Sequence, residues 1–243
     1  MKLILIGGGE VGRNNTPYET EIIDKEIVDL TGKEHPNFLF IGFASSSSDS
    51  YYDLMKKVYK NLGCECANLK RKNAINNPDI VKNKINAADI IYIGGGDTLK
   101  LLDDVKEFGI DKLLREAANR GCVIAGISAG AILLSKSGFS DSYILRGESD
   151  EYTFIDGLGF CNINICPHYH KYEKKDEELC TSIKNKSIDV YGLENCTAIK
   201  VVDGNIAAIK SKDDAKAYLV SYSDKLIEKV LWDLFLFFNL CYI

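Results

Sequence analysis

The chain has 243 residues, 46% of them hydrophobic, with a formal net charge of −5 from 30 Lys and Arg against 35 Asp and Glu. That length can bury one substantial core, and neither a repeat nor a Pro/Ser-rich linker divides it, so residues 1–229 are expected to form one α/β domain followed by an apolar extension, 230–243. The acidic balance and the lack of a basic stripe interleaved with aromatics argue against nucleic acid as a partner, and no apolar run approaches the roughly 20 residues of a membrane span.

The opening run Lys2–Ile6 reads as a strand stopped by Gly7-Gly8-Gly9, too short and too soon glycine-rich for a signal peptide, so a cytoplasmic enzyme is expected. Three further apolar runs, at residues 37–44, 88–93 and 121–125, also end in small-residue loops. Helical periodicity fills residues 20–30, 51–62 and 98–108. Near-continuously apolar strands alternating with helices predict a parallel sheet covered on both faces, with the ligand site at the carboxyl ends of its strands. Later in the chain, residues 155–165 and 198–202 read as strands and 174–184 as a helix with a polar face. Residues 205–209 and 217–221 read as a terminal hairpin. The stretch 230–238 fits a packed helix, an oligomer contact or a disordered extension.

Gly7-x-Gly9-x-x-Gly12 formally satisfies a dinucleotide fingerprint. Its context does not, because Arg13-Asn14-Asn15-Thr16-Pro17 cannot continue a helix and the second strand ends in Ala44-Ser45-Ser46 rather than in an acid for a ribose hydroxyl. The glycines are instead expected to let the first strand turn tightly beside an active cleft. Eight cysteines without an export signal suggest reduced, buried thiols, and neither Cys64-x-Cys66 nor His168-x-His170 has the spacing of a common zinc site. No metal and no cofactor is expected.

The most informative segment is Gly126-Ile127-Ser128-Ala129-Gly130-Ala131, directly behind an apolar strand. This pattern describes a strand turning sharply into a helix with a serine at the apex, its hydroxyl beside the first free N–H groups of the helix. Such a serine needs a base and a group that fixes the tautomer of that base. Of three histidines, His35 lies in a turn at the far end of the sheet, whereas His168 and His170 follow the strand-like Ile163-Asn164-Ile165-Cys166-Pro167. Alternation sends both to the same side, so periodicity leaves open which is the base. Glu194, before a strand, and Asp141, thirteen residues beyond Ser128, are the two candidate orienting acids.

Gly94-Gly95-Gly96-Asp97-Thr98, Gly126 to Ala131, Gly157-Leu158-Gly159 and Pro167-His168-Tyr169, in that order, resemble the peptidase E family of serine peptidases, family S51, which includes aspartyl dipeptidase and cyanophycinase. Gly7-Gly8-Gly9-Glu10 through Thr16-Pro17 and residues 192–197 fit as well, and the likeness covers roughly residues 1–222. The resemblance implies a three-layer α/β sandwich with a mostly parallel central sheet, like that of class I glutamine amidotransferases, and a Ser-His-Glu triad. It matches Ser128 to the nucleophile, His168 to the base, Glu194 to the acid, and Asp141 to a nearby family aspartate also assigned a role. It further implies oxyanion N–H groups from Gly95 or Gly96 and from Ala129, and substrate contacts around Asp97 and Thr98. Where aspartyl dipeptidase places arginine just after the histidine, this chain has Lys171, which supplies charge without a bidentate fork; Arg146 is the other nearby cation. The expected activity is hydrolysis of short peptides, dipeptides with N-terminal Asp among them. The competing readings are a non-catalytic ligand-binding protein with the same elbow and a nucleotide-dependent enzyme built on Gly7 to Gly12. The oligomeric state, a homodimer included, stays open.

Overall fold

The structure is a computed structural model and describes residues 1–12 and 15–231. The expectations for the end of the chain, from Trp232 to Ile243, therefore lie outside the described residues. In chain order the elements are β1 (Lys2–Ile6), α1 (Glu21–Asp29), β2 (Asn37–Ile41), α2 (Ser48–Asn61), β3 (Glu65–Leu69), α3 (Arg71–Asn76), α4 (Pro78–Ala87), β4 (Ile90–Ile93), α5 (Thr98–Glu107), α6 (Ile110–Asn119), β5 (Val123–Ile127) and α7 (Ala129–Leu134). There follow β6 (Ser137–Ser140), α8 (Ser142–Leu145), β7 (Thr153–Asp156), β8 (Asn164–Pro167), α9 (Glu173–Lys186), β9 (Val190–Leu193), β10 (Thr197–Val202), β11 (Asn205–Lys210), β12 (Ala217–Tyr222) and β13 (Leu226–Val230).

Two sheets, not one, organise the chain. The first runs β11-β10-β1-β5-β4-β2-β3 and the second β13-β12-β9-β8-β6-β7. Pairing in the first is parallel from β1 to β3 and antiparallel where β10 and β11 join. The second is parallel only between β6, β8 and β9. Both sheets are thus mixed, which corrects the expectation of one mostly parallel sheet. The four apolar runs of the first half do form the parallel block, and every residue of β4 and β5 is buried, as sequences covered on both faces must be.

The corrections come from turns. Asp203 and Gly204, at φ of 49° and 84°, form the two-residue connection that pairs Val202 with Asn205, so β11 folds back on β10. The segment 217–221 instead pairs with β9 and β13 in the other sheet, and the expected terminal hairpin does not form. The strand expected over 155–165 is interrupted after Asp156, where Gly157, Leu158 and Gly159 donate their N–H groups to Lys136, Leu133 and Ser135 carbonyls rather than to a strand partner.

Between the sheets lies α7, buried at all six positions, touching β1 and β5 on one side and β6, β7 and β8 on the other. A separate apolar cluster, including Ile23, Ile27, Met55 and Tyr59, seats α1 and α2 on the outer face of the first sheet. The register brings Ile6 opposite Ile127 and Ile93 opposite Gly126, so the chain leaves β1, β4 and β5 at one level. That level holds the glycine loops and Ser128.

The outer helices also anchor the loop after β1. Asp24, fully buried on α1, accepts hydrogen bonds from Thr20 Oγ1 (2.7 Å), Tyr59 Oη (2.8 Å) and Tyr18 Oη (2.9 Å), and Tyr18 bridges back to Val11. Burial pushes the Asp24 carboxyl up to about 6, against the three hydroxyl donors, which pull it down. A raised carboxyl favours the folded state most below its unfolded value near 3.8, and this contribution is lost as pH rises through about 6. Replacing Asp24 by Ala leaves three hydroxyls without their acceptor and should cost about 3 kcal/mol at neutral pH, read as a lower midpoint in denaturant unfolding.

Candidate active site

Ser128 sits where β5 becomes α7 with φ of 53° and ψ of −111°, a left-handed-side conformation costly for a side chain other than glycine. Close packing of strand on helix allows the turn. A Cβ on Gly126 would lie 2.3 Å from the Gly130 carbonyl carbon, and one on Gly130 would lie 2.2 Å from the Ile93 carbonyl oxygen. The Ser128 N–H donates to the Ile6 carbonyl at 2.9 Å, which ties the elbow to the end of β1. Ala129 opens the helix, where first-turn N–H groups have no intrahelical acceptor. Gly95 lies alongside, its Cβ position 3.2 Å from Ser128 Cβ.

From the second sheet β8 delivers His168, whose Nε2 lies 2.7 Å from Ser128 Oγ. The residue that fixes the ring is Asn195: its Oδ1 lies 2.9 Å from His168 Nδ1. An amide oxygen only accepts, so Nδ1 carries the hydrogen and Nε2 is left bare to accept the Ser128 hydroxyl. Gly8 packs against this pair so tightly that a Cβ there would lie 2.3 Å from Asn195 Oδ1 and 2.5 Å from His168 Nδ1. The Gly8 carbonyl in turn accepts the Cys196 N–H at 2.8 Å. Burial lowers the His168 ring to about 4 from an ordinary 6.5; the Asn195 hydrogen bond opposes the shift, and the charges of Lys175 and Lys171 add to it. The imidazole is therefore neutral at pH 7.

Neither expected acid faces this ring. Glu194 points away into a shallow surface cleft, where Oε2 accepts the Lys216 N–H at 2.8 Å and Oε1 the Tyr218 hydroxyl at 3.4 Å. The reason is local: adjacent residues leaving β9 project to opposite sides, so if Asn195 meets the imidazole, Glu194 turns outward. Asp141 occupies the position before α8, its carbonyl accepting the Leu145 N–H at 2.9 Å. His170 faces Asp176 and Glu228 at the surface. His35 is exposed and donates from Nδ1 to the Gly63 carbonyl at 3.2 Å.

A cavity of about 300 Å³ opens over Ser128 and His168, with Gly95, Gly96, Asn195 and Lys171 in its wall. Gly8 and Gly9 line it too, so the first glycine loop borders the cleft. Val11 bridges to Tyr18 where a dinucleotide fingerprint would start a helix. Asp97, Thr98 and Arg146, expected at the substrate, are absent from the wall. Asp97 caps α5 by accepting the Leu99 and Lys100 N–H groups and takes Arg146 Nε at 2.9 Å, while Thr98 bonds Ser140 and Ser142. Among the described residues no cluster of three or more His, Cys, Asp or Glu side chains could hold a metal ion, and the seven described cysteines are unpaired. No helix among the described residues is long and apolar enough to cross a membrane.

Residues 3–209 match the model of peptidase family S51. The chain is similar to the uncharacterized peptidase YgaJ of Bacillus subtilis, at 30% identity over 231 residues, 94% of this chain and 96% of that one. It is also similar to peptidase E of Shewanella denitrificans, at 28% identity over 174 residues, 70% and 68% of the two chains. Among solved structures, a peptidase from an acI-B1 Actinobacterium shares the fold with a TM-score of 0.71 at 24% identity, over 95% of this chain and 93% of that one.

The buried ring has a direct signature. In the folded protein the His168 imidazole should titrate near pH 4 rather than 6.5 when followed by NMR. Because the unfolded ring takes its proton at the higher pH, the contribution of this group to stability is present above 6.5 and lost as pH falls through about 4.

Proposed function

The chain belongs to peptidase family S51, and on that premise we propose that it is a serine-type peptidase that cleaves short peptides with Ser128 as nucleophile, His168 as general base and Asn195 as the residue that orients the base. The observation that carries the reading is the 2.7 Å contact between His168 Nε2 and Ser128 Oγ, at the floor of an accessible cavity. In the first half-reaction His168 Nε2 takes the hydroxyl proton while Ser128 Oγ bonds to the substrate carbonyl carbon. The resulting oxyanion is held by the N–H of Ala129 and that of Gly95 or Gly96, each such donor contributing roughly 3 kcal/mol where measured in other hydrolases. His168 then gives the proton to the leaving amine, the C–N bond breaks, and an acyl-enzyme remains. Water, deprotonated by the same ring, releases the acid.

Asn195 differs from the carboxylate of a Ser-His-Asp or Ser-His-Glu set. It can hold the tautomer and the plane of the ring, as the asparagine of Cys-His-Asn peptidases does, but adds no negative charge to steady an imidazolium. The low position of the His168 ring agrees with such a neutral partner. Lys171 in the cavity wall suits a substrate carboxylate, which makes dipeptides with N-terminal Asp the first substrates to assay.

Purified Ser128→Ala should lose at least about 10³-fold in kcat on such dipeptides, and wild-type turnover by that variant would overturn the assignment. Asn195→Ala should lower kcat by roughly 10- to 100-fold, and Asn195→Asp should shift the acid limb of kcat/KM to higher pH, because a carboxylate favours the imidazolium. Gly8→Ala should abolish turnover while the far-ultraviolet spectrum stays unchanged, since its methyl group would occupy the space of the His168–Asn195 pair.

A further inference from the structure

The loop after β1 opens with Gly7, Gly8 and Gly9, and a backbone without Cβ atoms has wide conformational freedom, so its place beside the imidazole must be set by what the loop is tied to. On the side of the sheets, the Gly7 N–H donates to the Thr197 carbonyl at 2.9 Å and the Gly8 carbonyl accepts the Cys196 N–H at 2.8 Å. On the outer side, residues 10 and 11 pair with 18 and 19. The Glu10 N–H donates to Glu19 Oε2 at 3.0 Å, the Glu10 carbonyl accepts the Glu19 N–H at 2.7 Å, and Val11 bridges to Tyr18.

Two of these outer contacts lead to Asp24, whose carboxylate oxygens divide their work. Oδ2 accepts from Tyr18 Oη at 2.9 Å and Thr20 Oγ1 at 2.7 Å, whereas Oδ1 accepts Tyr59 Oη of α2 at 2.8 Å. Both residues on Oδ2 meet the loop: Tyr18 through its bridge to Val11, and Thr20 by packing, since a Cβ on Gly9 would lie 2.7 Å from Thr20 Cγ2. One oxygen therefore serves the loop and the other serves α2. Asp24 and Thr20 are fully buried, so bulk water does not replace a hydrogen bond lost there. Asp24 is not part of the cavity wall, and none of the steps assigned to Ser128, His168 and Asn195 uses it.

We infer that Asp24 is a positioning residue for the active site: through Tyr18 and Thr20 its Oδ2 holds residues 8–11 where Gly8 confines the His168–Asn195 pair. The inference rests on the peptidase reading given above and adds a remote group on which the geometry of that site depends. Gly8 lies so close to both side chains that a loop released on its outer side gives the ring room to turn and water room to enter. Either change lengthens the path of the proton from Ser128 to His168, and a misplacement of about 1 Å in such a pair can cost about 10²-fold in rate. The hydroxyl of Tyr59, on the oxygen that faces α2, has no such route to the loop.

Tyr18→Phe and Tyr59→Phe each delete one hydroxyl from the same carboxylate, and comparing them separates positioning from stability. Tyr18→Phe should lower kcat on Asp-Leu at least tenfold and move the NMR titration of His168 up from about 4 toward 6.5, as water reaches the ring. Tyr59→Phe should lower the midpoint of unfolding while leaving kcat and the His168 titration within twofold and a few tenths of a pH unit of wild type. Wild-type values of both readouts in Tyr18→Phe, or equal changes in Tyr59→Phe, overturn the inference. Thr20→Val removes the other hydroxyl on Oδ2, keeps a methyl group against Gly9, and decides the question in the same terms if Tyr18→Phe fails to fold. The His168 titration needs no turnover, so the two readings fail separately: a wild-type protein without Ser128-dependent hydrolysis would remove the peptidase reading, whereas an active Tyr18→Phe with an unmoved ring would remove only the role of Asp24.

Discussion

Everything in the site depends on one hydrogen-bonded chain, from Ser128 Oγ through the His168 ring to Asn195 Oδ1, because its members come from different sheets. Ser128 leaves β5 of the first sheet, His168 leaves β8 of the second, and Asn195 lies in the three-residue passage by which the chain moves from β9 in the second sheet to β10 in the first. The two sheets must therefore hold a fixed relation at the level of this chain. The buried helix α7 between them and the Cys196 N–H on the Gly8 carbonyl are two of the features that fix it. A two-sheet architecture is more than a scaffold here, since neither sheet alone carries both Ser128 and His168.

A neutral third member changes what the surroundings have to do. An aspartate or glutamate against the ring would raise its proton affinity and repay part of the desolvation; asparagine leaves burial as the dominant influence, and the ring falls to about 4. Such a base is deprotonated throughout the neutral range but is intrinsically weak. In the proposed mechanism the burden of stabilising the transition state then shifts toward the backbone donors assigned to Ala129 and to Gly95 or Gly96, which do not depend on the charge of the ring. The left-handed backbone at Ser128 belongs to the same turn, which places the serine at the junction of β5 and the first turn of α7.

Much of this was legible in the amino-acid sequence. The elbow could be read from Gly126, Ser128 and Gly130 because small residues and an apolar strand leave few other structures open, and His168 could be placed at a sheet edge from the apolar run ending in Pro167. What escaped was governed by contacts distant in sequence. Glu194 is the chemically better orienter, and a pattern argument prefers it; which of Glu194 and Asn195 meets the ring depends on the exact residue at which β9 ends, a boundary that side-chain types do not mark. Asp203-Gly204 was a readable hairpin signal that assigns β11 to β10, and with it the split into two sheets becomes visible. Asp97, Thr98 and Arg146 lie near the site in sequence, yet helix capping and an ion pair absorb their polar groups. Gly8 carried only the signal of a glycine triplet, whose use appears once the imidazole is in place.

The central claim is that the 128 hydroxyl is activated by the 168 ring, and covalent labelling measures that most directly. Diisopropyl fluorophosphate reacts appreciably only with an activated serine. Peptide mapping by mass spectrometry after brief exposure at pH 7 should find one phosphorylated position, Ser128, with labelling reduced at least about 100-fold in His168→Ala. A label at another serine, none at all, or equal labelling of the two proteins would contradict the account.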